Sequence, residues 1–248
     1  MSQPKTGVQE LFDGLAAEYR QERDKQLSFL AQKRIVLEML SGLGGRLLEV
    51  GCGPAPMVDE LLAGNFEVHG IDVSPEMIRQ AQQRMAGHPL ARRCEFRVAD
   101  VEHLPYGDAS FDVVVAMGVI EYLPSYGRAL QEMRRVLKPG GHVVLTVPNR
   151  ASLYHAAYSS YLTMRRLCGV PRRIPFIPNR CTPWSLDRQL SATGLPKVSS
   201  TACNFVFFPL RELSERASNA LNSWLEPLSK HAIGPLLGTQ YIVKARRG

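Results

Sequence analysis

Apolar residues follow two patterns along the chain, a helical one near the N-terminus and then short apolar runs that alternate with helical stretches. Val8, Leu11 and Phe12 follow helical spacing, as do apolar residues between Leu27 and Leu40, and they predict two helices. From Arg46 onward the order is RLLEVG, helix 57–63, EVHGID, helix 75–85, CEFRVAD, FDVVVAMG, helix 126–137 and GHVVLTVPN. This alternation is typical of a parallel sheet covered by helices on both faces.

The alternation breaks after Asn149 and resumes at Thr182. The intervening segment mixes aromatic residues with arginines, contains no acidic residue and shows no regular pattern. After it the sequence predicts a capped helix 183–193, a strand 198–208, a helix 210–225 and a last strand 239–244. We expect an α/β fold with a mostly parallel sheet of seven strands, in which the last strands pair antiparallel at an edge.

Composition restricts the class of protein. The chain has 248 residues, of which 45% are hydrophobic and 21% charged, and these values exclude a disordered, collagen-like or fibrous protein. The net charge of +7 permits an anionic partner without requiring one. The 5 cysteines show no Cys-x-x-Cys spacing, so neither a zinc site nor a disulfide framework is indicated. No secretory signal and no apolar stretch of ~18 residues is present, and we expect a cytoplasmic protein.

The residues that can carry chemistry lie at the ends of the predicted strands. Gly51 and Gly53 follow the first strand, where a missing Cβ lets a ligand approach the backbone. Asp72 ends the second strand, about twenty residues later, where such sheets place a carboxylate for ribose hydroxyls. A nicotinamide dinucleotide is disfavoured, because Pro56 replaces the third glycine of its fingerprint and Glu49 would repel a pyrophosphate.

Two further acidic residues extend this arrangement. Asp100 ends the third strand and Glu121 follows the fourth. The carboxyl ends of parallel strands meet at one edge of a sheet, so we expect both to join Glu49 and Asp72 around one pocket. A pocket rimmed by carboxylates favours a nucleoside that carries positive charge.

Five segments in this order, LLEVGCGP, GIDVSPEM, ADVEHLPY, SFDVVVAM and VLKPGG, resemble the class I S-adenosylmethionine-dependent methyltransferases. The resemblance covers residues 8–147, and the early segment FDGLAAEY is similar to the N-terminal lid of that family. It implies a Rossmann-like, doubly wound fold in a single domain, 1–248. We divide that domain into a helical lid 1–43, a cofactor-binding core 44–149, an Arg- and aromatic-rich insertion 150–181, and C-terminal helices and edge strands 182–248.

The cofactor that the resemblance implies is S-adenosyl-L-methionine, with S-adenosyl-L-homocysteine as product. The usual third glycine of the first motif is Ala55 here, and we expect a slightly altered turn that still binds. Plain core packing is the alternative role for the two methionines among the matching positions. The matching positions are Glu49, Gly51 and Gly53 for the methionine portion, Asp72 for the ribose, Met77, Asp100 and the Val101 backbone for the adenine, and Met117 for the base of the cleft.

Glu121 is the candidate catalytic residue. Methyl transfer from a sulfonium needs a base only where the acceptor loses a proton, and Glu121 is placed to take that proton or to contact the acceptor. A solvated carboxylate at a helix start is the alternative. Within the family the chain is most similar to the ubiquinone-biosynthesis O-methyltransferases, which carry a metal-linked E-x-x-E-H sequence. Gly118 and Tyr122 replace two of those three ligands, so no metal is implied.

The expected function is therefore methyl transfer to oxygen of a small, lipophilic or natural-product acceptor. The insertion 150–180 suits an anionic membrane interface, which predicts peripheral contact at the inner face of the membrane, and a solvated substrate lid is the alternative. Two other functions stay open, an RNA methyltransferase and a noncatalytic cofactor-binding protein. Nucleic acid is disfavoured because the fourth strand lacks the Asp- or Asn-Pro-Pro-Tyr sequence of base-amine methylases. The oligomeric state is left without a prediction.

Overall fold

The structure, a computed structural model, describes residues 7–14, 27–167, 181–205, 220–222, 224–231 and 233–248. Most of the predicted helix 210–225 lies outside these residues, and so do Arg172, Arg173 and Arg180 of the insertion.

Helices and strands alternate along the described chain as the sequence predicted. The helices include α1 (7–14), α2 (Leu27–Leu40), α3 (Val58–Ala63), α4 (Pro75–Met85), α5 (Gly127–Val136), α6 (Leu153–Leu167), α7 (Pro183–Ala192) and α8 (Gly234–Leu237). The strands are β1 (Gly45–Val50), β2 (Phe66–Asp72), β3 (Cys94–Val98), β4 (Phe111–Met117), β5 (Leu137–Pro148), β6 (Lys197–Phe205) and β7 (Gly238–Arg246).

The strands form one seven-stranded sheet in the order β3-β2-β1-β4-β5-β7-β6. The pairs from β3 to β5 are parallel, and β7 pairs antiparallel with both β5 and β6. The predicted α/β fold with a mostly parallel sheet is confirmed. The antiparallel strand is β7, one position in from the edge that β6 occupies. The order reverses direction at β1, so the carboxyl ends of β1 and β4 flank the crevice where open sheets of this kind bind ligands.

Helices cover both faces of the sheet, and successive strand residues point to opposite layers. On β1, Leu47 packs in the cluster formed with α2, α3 and α4, whereas Leu48 packs in the cluster formed with α5 and α7. Val113 and Val114 of β4 divide in the same way. Such near-continuous apolar strands identify a sheet buried on both faces.

The two helices assigned to an N-terminal lid take different positions. Helix α2 buries Val36 and Leu40 against the sheet and belongs to one of the two covering layers. Helix α1 instead brings Val8 and Phe12 to the cleft at the carboxyl ends of the strands. Among the described residues of this segment, those that line the cleft belong to α1.

The start of β5 differs from the expectation. A helix to residue 137 and a turn at Pro139–Gly141 were expected, whereas α5 ends at Val136 and β5 begins at Leu137. Leu137 is fully buried and pairs with Phe111, and the pairing then shifts register to Val113 opposite His142. The residues expected as a turn form this irregularity within the strand, because burying Leu137 holds the backbone extended.

Helix α6 lies in the insertion, where the sequence indicated no regular pattern. Ser152 begins the helix, since its hydroxyl accepts a hydrogen bond from the His155 amide at 3.3 Å and its carbonyl accepts one from Ala156. The tyrosines 154, 158 and 161 stand at helical spacing, and this was the available signal. It was hidden by the arginines and serines that interrupt an apolar stripe.

Glu132 of α5 fixes the loop that follows β3. Its carboxylate accepts a hydrogen bond from the Leu104 amide at 2.9 Å and two from the Arg135 guanidinium at 2.8 Å each. Arg135 also donates to the carbonyl oxygens of Leu104 and Tyr106. These hydrogen bonds from Arg135 lower the pKa of Glu132 below its ordinary value. The loop that carries Asp100 is thereby attached to a buried helix.

We predict that Glu132→Ala lowers the free energy of unfolding by about 2–3 kcal/mol, because it leaves a buried amide and a guanidinium without their acceptor. Glu132→Gln should lose less, since its amide oxygen can still accept from Leu104. The stabilisation from Glu132 is present above the ordinary carboxyl pKa and is lost as the pH falls through the lowered one. The difference in free energy of unfolding between wild type and Glu132→Gln, measured with urea, should therefore be smaller at about pH 3 than at about pH 7.

The matched control is Asp108→Ala. The Asp108 carboxylate is another partner of Arg135, but the Asp108 side chain is 77% exposed. The substitution should change the unfolding free energy by less than about 1 kcal/mol. Equal losses in Asp108→Ala and Glu132→Ala would contradict the role given to Glu132.

Candidate functional site

The turn after β1 is built around backbone conformations that favour glycine. Gly51 and Gly53 have φ of 65° and 52°. A Cβ on Gly51 would lie 2.4 Å from Cγ2 of Val119, so only glycine fits the present packing. Ala55 also has a positive φ of 55°, and the alanine keeps a left-handed conformation at the position where the family has glycine. The turn therefore exposes its backbone to the crevice.

Asp72 lies at the end of β2 and bridges two backbone segments. Its Oδ2 accepts a hydrogen bond from the Gly53 amide at 2.9 Å, and its Oδ1 accepts one from the Ser74 amide at 2.9 Å. Burial raises the pKa of Asp72 against the opposing effect of these hydrogen bonds. The carboxylate thus joins the glycine turn to the start of α4 and keeps lone pairs for a ligand.

A cleft opens at these strand ends. It brings together seven of the nine residues predicted for the site, and only Glu49 and Glu121 are not among its described lining residues. The seven are Gly51, Gly53, Asp72, Met77, Asp100, Val101 and Met117.

Met77 and Met117 both contribute to the cleft wall, and Met77 is also almost completely buried at 1% exposure. Packing and lining are therefore not exclusive roles here. Asp100 accepts a hydrogen bond from the Glu102 amide at 3.0 Å, which orients its carboxylate, and Val101 follows it in the cleft wall.

Glu49 lines a small adjoining cavity that shares Gly51, Gly53 and Met117 with the cleft. The side chain is buried, and its Oε2 has no hydrogen-bond partner among the residues that the structure describes. Burial raises the pKa of Glu49 to about 8, while the nearby Lys33 acts in the opposite direction. A buried carboxyl of this kind is suited to a cationic group brought by a ligand.

Glu121 lies beside the cleft in a short 3₁₀ helix, Ile120–Tyr122. It is 7% exposed, so the alternative of a solvated carboxylate is wrong. Its Oε1 is 3.5 Å from the point where a Cβ of Gly118 would stand, and Gly118 lines the cleft. The missing side chain of Gly118 therefore brings the carboxylate close to the cleft wall.

Helix α1 covers the opening with residues that sequence reasoning did not single out. Phe12 contacts Tyr122 edge to face, with ring centroids 5.2 Å apart. Asp13 accepts a hydrogen bond from the Ser74 hydroxyl, and that same hydroxyl accepts one from the Met77 amide at 3.1 Å. The segment FDGLAAEY indicated a lid, but nothing in the sequence indicated which residue on the core its side chains meet.

Within the described parts of the chain, no three His, Cys, Asp or Glu side chains form a group that could hold a metal ion. Over the same residues, no helix has the length and apolarity needed to cross a bilayer.

Comparison with known proteins agrees with this geometry. A family model described as a methyltransferase domain matches residues 48–145. The ubiquinone/menaquinone biosynthesis C-methyltransferase UbiE of Geotalea uraniireducens (strain Rf4) is 30% identical over 164 residues, which are 62% of this chain and 69% of that protein. The chain belongs to the class I S-adenosylmethionine-dependent methyltransferases.

A second relative matches over a shorter stretch, and a solved structure matches over most of the chain. The 27-O-demethylrifamycin SV methyltransferase of Amycolatopsis mediterranei (strain S699) is 36% identical over 115 residues, and the match covers 44% of this chain and 42% of that protein. The chain thus spans less than half the length of that relative. A solved structure from Thermotoga maritima, a possible histamine N-methyltransferase, superimposes with a TM-score of 0.65 at 18% identity and covers 96% of this chain and 99% of that one. At this identity the likeness concerns the fold.

The cofactor of this family, S-adenosylmethionine, fits the residues present. Its amino-acid portion carries an ammonium group, and the Glu49 oxygen without a partner is a buried acceptor beside the glycine turn. Its ribose offers hydroxyl donors, and Asp72 offers a carboxylate in the cleft. Its adenine fits beside Met77, Asp100 and Val101.

We predict that Asp72→Ala weakens binding of S-adenosylhomocysteine about 100-fold, because two charge-assisted hydrogen bonds to the ribose are lost. The substitution also removes the acceptor of the Gly53 and Ser74 amides, so some loss of stability is expected as well. Titration calorimetry at a temperature where circular dichroism shows the variant folded separates the two effects. Affinity equal to that of wild type would contradict the assignment of Asp72 to the ribose.

Proposed function

We propose that this protein transfers a methyl group from S-adenosylmethionine to a small, uncharged, lipophilic acceptor. The observation that carries the proposal is one cleft with carboxylates on one side and apolar groups on the other. Asp72 and Asp100 follow β2 and β3, whereas Tyr122 and Leu123 follow β4 on the opposite side of β1, where Phe12 joins them.

The charge of the lining supports an uncharged acceptor. Asp72 and Asp100 are the only charged side chains among the described residues that line the cleft. A carboxylate or phosphate on the acceptor would meet no cationic side chain among these described residues, and burying it unpaired would be unfavourable. Val8, Phe12, Leu123 and Pro124 offer apolar contacts instead.

When bound, S-adenosylmethionine supplies a methyl group on a positively charged sulfur, which is open to in-line displacement. The contribution of the protein is mainly to orient the acceptor and exclude water, and good orientation can lower a barrier by several kcal/mol, up to about 7–11. Helix α1 serves this purpose, because its Val8 and Phe12 close the apolar side of the cleft.

Glu121 supplies the base where the acceptor loses a proton. Its carboxylate reaches the cleft wall at Gly118, and the absence of a side chain on that residue leaves room for an acceptor group to approach. The proton leaves the acceptor atom for a Glu121 oxygen as the new bond to carbon forms.

The atom that accepts the methyl group is proposed to be oxygen, as the sequence predicts. The names of the relatives include both kinds of target, since UbiE is a C-methyltransferase and the rifamycin relative acts on a 27-O-demethyl compound. A phenolic or enolic acceptor is compatible with methylation at either atom, because its ionisable oxygen is conjugated to a nucleophilic carbon.

The test is a metabolite extract incubated with the protein and methyl donor, followed by mass spectrometry for a gain of ~14 Da. We expect such a product with wild type, at least about tenfold slower turnover with Glu121→Gln, and unchanged affinity of that variant for S-adenosylhomocysteine. Full activity of Glu121→Gln would assign the residue to structure. Cofactor binding without any methylated product would favour a noncatalytic cofactor-binding protein. Methylation of RNA alone would favour an RNA methyltransferase.

We further propose that the insertion contacts an anionic membrane, from which a lipophilic acceptor enters the cleft. Helix α6 has no acidic residue and leaves Leu153, Met164 and Leu167 at least 55% exposed. Arg165 and Arg166 stand on the same helix. A helix that exposes apolar side chains and also carries arginines in its sequence is suited to the boundary between acyl chains and anionic headgroups.

Liposome sedimentation tests this contact. Binding to vesicles with phosphatidylserine should exceed binding to phosphatidylcholine vesicles and should fall when Arg165, Arg166, Arg172 and Arg173 are replaced by glutamine. The matched control replaces the exposed Arg92 and Arg188, which lie outside the insertion. Unchanged partitioning in the insertion variant would remove the membrane proposal and leave the solvated lid.

A further inference from the structure

Ser74 connects the covering helix to the cofactor site. It is fully buried, its hydroxyl donates to the Asp13 carboxylate, and the same oxygen accepts from the Met77 amide. Its own amide donates to Asp72 Oδ1 at 2.9 Å. One residue therefore contacts the covering helix, the first turn of α4 and the carboxylate assigned to the ribose.

The position of α1 depends on contacts with the rest of the protein. The helix has eight residues, 7–14, and an isolated helix shorter than about 12 residues is marginal in water. The contacts that attach it are apolar at Val8 and Phe12 and polar at Asp13. The apolar contacts border the cleft itself, so a ligand there adds to the surface on which α1 rests.

We propose that Asp13 is a positioning residue that couples the docking of α1 to cofactor binding, through its hydrogen bond to Ser74. This inference rests on the proposed function, because the coupled ligand is S-adenosylmethionine. The Asp13–Ser74 bond holds α1 over the cleft and keeps the Ser74 hydroxyl oriented toward the Met77 amide. Cofactor in the cleft would then bind below a docked α1 and beside a carboxylate, Asp72, that is already oriented for the ribose.

The charge on Asp13 has a second effect at the same site. Its carboxylate raises the pKa of Asp72, in addition to the larger effect of burial, because the two like charges repel.

Coupling of this kind is reciprocal. If a docked α1 strengthens cofactor binding, cofactor must strengthen the docking of α1 by the same factor. Loss of the Asp13–Ser74 bond should therefore weaken affinity and also reduce the order that cofactor imposes on α1. A residue that only supports the fold would change the melting temperature without this paired response.

The test uses the full chain and three variants. Asp13→Ala removes the acceptor, Asp13→Asn keeps an oxygen that can accept from Ser74, and Glu10→Ala removes an exposed carboxylate from the same helix as the control. S-adenosylhomocysteine affinity is measured by calorimetry, and amide hydrogen exchange of residues 7–14 is measured with and without this ligand.

We expect Asp13→Ala to weaken affinity about 5- to 10-fold and to lose most of the ligand-induced protection of α1, at an unchanged melting temperature. The affinity of Asp13→Asn should stay within about twofold of wild type, and this variant should keep the ligand-induced protection of α1. Glu10→Ala should match wild type in both measurements. Substituting Ser74 is avoided because that hydroxyl also caps α4.

Two results would overturn the inference. One is Asp13→Ala with the affinity and protection of wild type, and the other is Asp13→Asn with the full loss of Asp13→Ala. Both differ from failure of the proposed function, in which wild type itself would not bind S-adenosylhomocysteine or would bind it without methylating any acceptor.

Discussion

The geometry of the candidate site depends on one carboxylate held at the end of a buried strand. Asp72 accepts hydrogen bonds from the Gly53 and Ser74 amides, and these amides belong to the turn after β1 and to the start of α4. Without this bridge, the glycine turn and α4 would present separate surfaces. Because Asp72 is also the carboxylate proposed for the ribose, a substitution at this residue is expected to change stability and affinity together.

The order of the strands places different kinds of side chain on the two sides of the cleft. Acidic residues follow β2 and β3, whereas the residues after β4 are mostly apolar and meet α1 through Phe12 and Tyr122. Carboxylates suit a cationic nucleoside, and an apolar enclosure suits a neutral acceptor. In the proposed function, cofactor and acceptor therefore contact residues on opposite sides of β1.

Much of this arrangement was predictable, because it depends on residues close together in sequence. The glycines after β1, Asp72 at the end of β2 and the Ser74-Pro75 start of α4 are local signals, and each one was interpreted correctly as a structural element. Helix α6 and the early start of β5 were missed. For β5, burial of Leu137 opposite Phe111 outweighed the local pattern, whereas in α6 arginines and serines interrupt the apolar stripe.

The α/β class, the strand ends that carry glycines and acids, and the family resemblance are all readable from the residues alone, since they follow from periodicity and from short motifs in a fixed order. The folded chain was needed to show that Glu121 is buried beside Gly118, that Glu49 lines an adjoining cavity, and that Asp13 meets Ser74 across 61 positions of chain. The physical reason is that burial and charge pairing depend on which elements pack together, and no local pattern specifies the partner of a side chain that reaches across the fold.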